Sequence, residues 1–319
     1  MSFLTPPSFP GFSTAAYTAA PNNAVNVAAV VAVGGSAAVD LALLPKTVGA
    51  IIADIPDNAA SGGNKRGQNS VDFQILRSAS TQVASGNNSG ILSGGNNTAI
   101  GQESVVSGGD NNNARSNFTT IGGGSENTAG TAPLKTGATV GGGVQNLADG
   151  KNSCIPGGAG ASVRTVQGRF AYGSFSNLTQ AGQFQFSELV ECTSTPDATP
   201  KRLVPDGIAG GVAATDNACT VADNSCNSFV THVAARNNAT GDSSVWRIDG
   251  VIKRGAGVGT TALVGAPTVT LVAQDAGAAG WAVAATADAV NGALAITATG
   301  AAATTIRWVA LTKLVEVTF

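Results

Sequence analysis

The sequence predicts an all-β chain built in series: a short N-terminal β segment, a parallel β-roll (solenoid) of five short coils, and a C-terminal antiparallel β-sandwich or jelly roll, assembled as a homotrimer. Three observations predict it. A Gly- and Asn-rich motif recurs five times between Ala84 and Gly158, the chain beyond Ser187 alternates apolar and polar residues between turns, and charged residues make up only 11% of a chain holding 42 glycines. These features divide the chain into 1–45, 46–83, 84–168, 169–186 and 187–319.

Residues 1–45 carry no export or membrane signal. Met1-Ser2-Phe3-Leu4-Thr5-Pro6-Pro7 has no positive region ahead of an apolar run, as a secretory signal peptide would. The Ala/Val-rich stretch from Ala24 to Leu44 is interrupted by Asn26, Gly34, Gly35, Ser36 and Asp40, more polarity than a membrane span tolerates. It reads as two alternating strands, so no membrane insertion is expected.

The repeats define the centre of the chain. Their copies begin at Ala84, Ala99, Ala114, Ala129 and Ala148, spaced by 15, 15, 15 and 19 residues. That period leaves room for two strands of about three to four residues and two tight turns. One such coil buries little by itself, so coils must stack on a shared core. The expected inward residues are the five alanines on one side and Leu92, Val106, Ile121, Val140 and Ile155 on the other. Gly-rich turns follow, with Asn96-Asn97, Asp110-Asn111-Asn112-Asn113 and Glu126-Asn127 as turn residues able to adopt positive φ. Gly122-Gly123-Gly124 lacks the Lys and the strand-to-helix setting of a phosphate loop. The fourth copy is lengthened around Pro133-Leu134-Lys135 as a surface loop, and the fifth sets Pro156 beside Ile155. Coils this thin bury too little apolar surface to offset about 1–2 kcal/mol of backbone entropy per residue. Three-fold self-association is the expected remedy.

Beyond the roll, Phe170, Tyr172, Phe175, Phe184 and Phe186 concentrate aromatics at 169–186, where they are expected to cap the last coil. Alternating runs at 228–236, 244–254, 268–272, 281–285, 293–298 and 306–317 then read as strands of a sandwich. Trp246, Trp281 and Trp308 lie on these runs among apolar same-face neighbours, as core anchors or alternatively as a sugar-stacking platform.

Composition narrows the chemistry. A net charge of -2 without a basic patch argues against nucleic acid, and one His with few charges leaves little for acid–base catalysis. No enzyme, no catalytic residue, no cofactor and no metal are therefore expected. Glycan cleavage would need two carboxylates roughly 5–10 Å apart. Glu188, Glu191, Asp206, Asp216, Asp223 and the pair Asp242 and Asp249 are available, each equally a solvated turn or strand-face residue. Cys154, Cys192, Cys219 and Cys226 read as reduced thiols. A cross-strand disulfide is the alternative for Cys219 and Cys226, which flank an apparent hairpin loop, while their spacing is not that of a zinc knuckle. His232 reads as a strand residue.

Two resemblances accompany these readings. Ala99-Ile100-Gly101-Gln102-Glu103-Ser104-Val105-Val106-Ser107-Gly108-Gly109 resembles the head repeats of trimeric autotransporter adhesins, which implies a trimeric left-handed parallel roll. No coiled-coil stalk or membrane barrel follows it, so a bacterial-surface role is not expected. Trp246-Arg247-Ile248, Gly250-Val251-Ile252-Lys253-Arg254, Ala262-Leu263-Val264-Gly265, residues 288–300 and Thr305-Ile306-Arg307-Trp308-Val309-Ala310 resemble the end domain of tailed-bacteriophage tail-fibre and virion appendage proteins. Ala53-Asp54-Ile55-Pro56-Asp57-Asn58 and residues 62–74 are similar to the segment ahead of the roll in the same proteins.

The resemblance implies a structural virion protein, assembled in the host cytoplasm, most readily a trimeric tail fibre or short spike for host attachment. A trimeric capsid decoration or cement protein and a glycan-cleaving tailspike are the alternatives. The expected partners are other copies of the chain, virion proteins through residues 1–45, and a host surface glycan or protein through the C-terminal domain. Asp216-Asn217-Ala218 and Asn237-Asn238 are the loops expected to meet a ligand.

Overall fold

The computed structural model describes residues 12–17, 27–32, 43, 45, 47–174, 181–207 and 213–319. The chain divides into two units, Met1–Thr47 and Val48–Phe319. In the first, β1 (Phe12–Tyr17) pairs antiparallel with β2 (Val27–Ala32), Phe12 opposite Ala32 and Tyr17 opposite Val27. The β2 strand falls in the stretch from Ala24 to Leu44 read as two strands; residues 33–42 of that stretch lie outside the described residues.

The second unit begins as a parallel β-solenoid. Seven two-residue strands stack in register: Ile51–Ile52, Val71–Asp72, Gly90–Ile91, Val105–Val106, Thr120–Ile121, Thr139–Val140 and Cys154–Ile155. A second parallel ladder joins Thr98–Ala99, Asn113–Ala114, Thr128–Ala129 and Leu147–Ala148. All five repeat alanines are fully buried, and so are Ile91, Val106, Ile121, Val140 and Ile155. Leu92, expected inward, is 50% exposed, and Ile91 takes its place. Matching Leu92-Ser93-Gly94-Gly95 to Val106-Ser107-Gly108-Gly109 sets the first coil one residue out of register, and Ile91 pairs with Val106 instead. In a strand, a slip of one residue exchanges the inward and outward faces.

A ladder of asparagine side chains runs along the inside of the turns. Asn97, Asn112, Asn127 and Asn146 are all buried, one per coil. The amide oxygen of each accepts the backbone N–H of the next residue in the stack: Asn112 to Asn97 at 3.0 Å, Asn127 to Asn112 at 3.1 Å, Asn146 to Asn127 at 3.1 Å and Ala161 to Asn146 at 3.0 Å. The amide nitrogen of each donates to a carbonyl of its own turn and to one of the next coil, for Asn112 those of Gly108 at 3.0 Å and Gly124 at 2.9 Å. Gln74 begins the ladder, accepting from the Asn97 N–H at 2.9 Å and donating to the Asn97 carbonyl at 2.8 Å. Beside it stands the column Gly94, Gly109, Gly124, Gly143 and Gly158, all with φ between 84 and 90. A Cβ on Gly109 would lie 2.0 Å from the carbonyl oxygen of Gly124, so the coils stack only without one.

Charge closes the first coils. Asp72, fully buried, is paired with Arg66 at 2.8 Å and Arg77 at 3.5 Å, and accepts the Ala84 N–H at 3.3 Å.

The sheet leaves the solenoid without a break. The β3 strand (Phe170–Ser174) stacks parallel on the last coil, Phe170 against Cys154 and Gly173 against Gly158, and pairs antiparallel with β4 (Phe184–Thr195). Phe170 and Phe186 meet edge-on with centroids 6.5 Å apart, while Tyr172 and Phe184 are exposed. From β4 the order continues to β10 (Ile306–Thr318), β5 (Ser225–Asn237) and β6 (Ser243–Arg254), with β7 (Thr268–Gln274) on the far edge of β6. A smaller sheet covers one face. There β9 (Ala293–Thr299) pairs with β8 (Ala282–Asp288) on one side and with Lys201–Arg202 and Cys219–Thr220 on the other.

The sandwich expected for the C-terminal part is thus present. Trp308, Trp246 and Trp281 lie in its core, Trp308 stacked on Trp246 at 5.6 Å and 5.9 Å from Trp281, with its indole N–H on Thr195 Oγ1 at 2.9 Å. Their burial makes them anchors and removes them as a sugar platform. The apparent hairpin from Cys219 to Cys226 is instead a crossover between sheets, since Cys219 pairs with Leu294 in the small sheet and Cys226 with Lys253 and Val317 in the large one.

Asn112→Ala removes two carbonyl contacts and strands the Asn127 N–H, so the unfolding free energy should fall by about 3 kcal/mol. Ser107→Ala, at an exposed position of the same coil, should change it by less than about 0.5 kcal/mol. Denaturant titration of both variants measures the difference.

Candidate functional site

Because the small sheet covers only one face of β4, β10, β5 and β6, their alternate residues point outward and remain uncovered. Val190, Val309 and Val315 are 55%, 45% and 63% exposed there. Two neighbouring rows cross all four strands at one end of this face. Cys192, Val309, Ala234 and Val245 form the first, and Ser194, Arg307, Arg236 and Ser243 the second. Between them they line a cleft of about 680 Å³, closed on one side by Gly207. Gly207 has φ +66 and sits where an added Cβ would be 2.5 Å from Cys192 Sγ, so only glycine lets this wall approach.

Arg236 and Arg307 stand directly opposite each other on adjacent strands. Arg236 donates to Ser243 Oγ at 3.4 Å. No carboxylate of the described residues is ion-paired with either guanidinium. The cleft thus joins an apolar floor to a doubled positive charge with hydroxyls on either side.

The inward face of the same strands holds a buried acid. Glu191 is fully buried, with Thr312 Oγ1 at 3.4 Å from one carboxylate oxygen and no partner for the other. Burial pushes its carboxyl up to about 7, against the opposing pull of Arg202 and Arg169. Arg169 is itself buried, donating to the Thr220 carbonyl at 2.9 Å, and Arg164 reaches Glu316 at 2.7 Å. A polar seam therefore lies where the roll meets the sandwich.

The carboxylates singled out from sequence are dispersed. Glu188 faces outward on Lys313 at 3.0 Å, while Glu191, three residues on, faces the core. Asp216 pairs with Lys135 at 3.5 Å, Asp223 with Arg254 at 2.7 Å and Asp249 with Arg247 at 2.7 Å. Asp206 is exposed, and Asp242 accepts from the Thr240 hydroxyl. Asp242 and Asp249 are roughly 20 Å apart along extended chain. The loop Asp216-Asn217-Ala218, expected to meet a ligand, turns to the roll: the Gln167 N–H donates to the Asp216 carbonyl at 2.9 Å and Ala218 is buried. Asn237 is buried and Asn238 exposed. Reading by sequence found the Asn237-Asn238 turn but not Arg236 beside it. Outward alternation marks Arg236 and Arg307 separately, and only the strand register brings them together.

All four cysteines are free thiols. Burial pushes Cys219 up to about 12, whereas Cys226 is exposed. His232 faces outward on β5, opposite Leu311 and Arg247. Among the described residues, no three His, Cys, Asp or Glu side chains gather as metal ligands would.

No protein-family model matches this chain, and no curated protein sequence does. Among solved structures it is similar to tailspike protein gp49 of Acinetobacter baumannii bacteriophage Fri1, a capsular polysaccharide depolymerase, at 11% identity and a TM-score of 0.25, covering 83% of this chain and 44% of that one. It is also similar to the tailspike protein of Acinetobacter phage vB_ApiP_P1, at 8% identity and a TM-score of 0.19, covering 81% of this chain and 61% of that one. The chain thus spans less than two thirds of either. The expectation that it is no enzyme does not stand beside a depolymerase neighbour and is withdrawn.

Two outcomes follow from the ionisable groups. A carboxyl raised in the folded state leaves stability intact below its usual value of 4.5, lowers it progressively as pH rises to about 7, and leaves it constantly lower above that. Glu191 should therefore cost about 3 kcal/mol between pH 4 and pH 8. Glu191→Gln should flatten that segment of the pH–stability curve and melt higher than the native chain at pH 8. In thiol titration with an aromatic disulfide, Cys226 should react in the native protein and Cys219 only after unfolding.

Proposed function

We propose that this chain is a structural protein of a tailed-phage virion, an attachment appendage of the tail-fibre or tailspike kind. The observation that carries the reading is the unbroken sheet from parallel coils to antiparallel sandwich. Coils stacked in register at a fixed rise act as a spacer, and the sandwich they support turns one uncovered, partly apolar face to its surroundings. Residues 1–45 dock to other virion proteins, and the sandwich meets a host surface glycan or protein. The resemblance of the 53–74 and 246–310 segments to appendage proteins supports the same reading.

Self-association as a trimer belongs to this proposal. Each repeat coil buries one branched aliphatic residue and one or two alanines, while Phe73, Ile75, Leu76, Leu92, Ile100 and Phe118 remain exposed along the roll. Covering those side chains against other copies supplies apolar burial that a single coil lacks.

Gold-labelled antibody raised against the purified chain should decorate the tails of intact particles and block adsorption to host cells. Labelling spread over the capsid shell would assign it to decoration instead, and no labelling would remove the virion reading. Native mass measurement should return three copies, and a stable monomer would break the thin-core argument.

A further inference from the structure

On the attachment reading above, we infer that the cleft crossed by β4, β10, β5 and β6 binds a carboxylate-bearing saccharide, with Arg236 and Arg307 as its anion clamp. Like charges placed directly opposite on neighbouring strands repel. Here two guanidiniums oppose each other without an ion-paired acid among the described residues: Asp242 accepts from the Thr240 hydroxyl and Asp275 from the Ser243 N–H at 2.9 Å. Asp206, beside Gly207 and close enough to add to burial in pushing the Cys192 thiol up, forms no ion pair with either arginine. A carboxylate laid across the pair converts that repulsion into charge-assisted, fork-shaped contacts.

The rest of the cleft decides what carries the carboxylate. Its floor of Val309, Ala234 and Val245 suits the C–H face of a ring. Ser194 and Ser243 flank the arginines in the same row, and their hydroxyls both donate and accept, as sugar hydroxyls do. About 680 Å³ falls within the size range of small-molecule sites. Arg236, Ala234, Arg307 and Val309 are exposed, so the cleft opens along the sheet and admits a unit within a polymer. A bare inorganic anion would leave the apolar floor empty, and a neutral sugar would leave the guanidiniums unpaired.

Titration calorimetry of the full-length protein with uronic-acid oligosaccharides, their neutral counterparts and inorganic phosphate tests the assignment. The uronates should bind, more weakly as salt rises, and Arg236→Gln or Arg307→Gln should each weaken binding roughly tenfold. Ala234→Glu, whose carboxylate would sit beside both guanidiniums, should abolish binding. Melting curves showing that the variants remain folded separate a lost site from a lost fold. Failure of the uronates to bind, equal binding of neutral sugars, phosphate binding as tight as uronate, or undiminished binding by the folded arginine variants would each overturn the site. Uronate binding by a chain absent from particles would keep the cleft and remove the attachment reading; a chain present on tails that binds no uronate would do the reverse.

Discussion

The solenoid depends on one repeated interaction, the buried asparagine that each coil sets against the next. A coil this small has a turn whose backbone groups face inward, where water does not reach them, and a buried unpaired N–H or carbonyl costs about as much as a lost hydrogen bond. Asparagine carries both an acceptor and two donors, so one side chain satisfies the next residue's N–H and two carbonyls. Stacked at one per coil, Asn97, Asn112, Asn127 and Asn146 also lock the register, because a slip would leave every member unpaired. The adjacent glycine column permits the approach that makes those bonds short enough.

That ladder has an end on each side, the first met by polar side chains and the last by backbone. Asp72 with Arg66 and Arg77 sits where the first coils would otherwise expose open backbone, and Gln74 supplies the first rung. At the other end Ala161 takes the last asparagine oxygen, and β3 carries the sheet onward. The change from parallel to antiparallel pairing at β3 lets the strands lengthen from two residues to twelve or thirteen. Long strands need a second layer, which the tryptophan cluster fills.

Only one face of the long strands receives that layer. The uncovered face and the arginine-flanked cleft at its end follow from the same geometry, since a two-layer sandwich leaves the outward rows free. Glu191 and the cleft lie on opposite sides of β4, one buried and one open, which separates the acid whose carboxyl burial raises from the proposed anion clamp.

Much of this was legible in the sequence. A period of 15 residues that recurs in a Gly-rich chain can hardly form anything but stacked coils, and strict alternation named the strands at 228–236, 244–254, 293–298 and 306–317 to within a few residues. Leu92 was misplaced because matching glycines is less exact than matching the buried aliphatic column. The asparagines read as turn residues because composition records that a residue suits a turn, not which way its side chain points. The sequence alone determined what is local and periodic: the coil, the strands, the apolar sides. Tertiary structure decided what depends on residues far apart in the chain meeting: the crossover that parts Cys219 from Cys226, the burial of Glu191, and the meeting of Arg236 with Arg307 across a strand pair whose register no local pattern encodes.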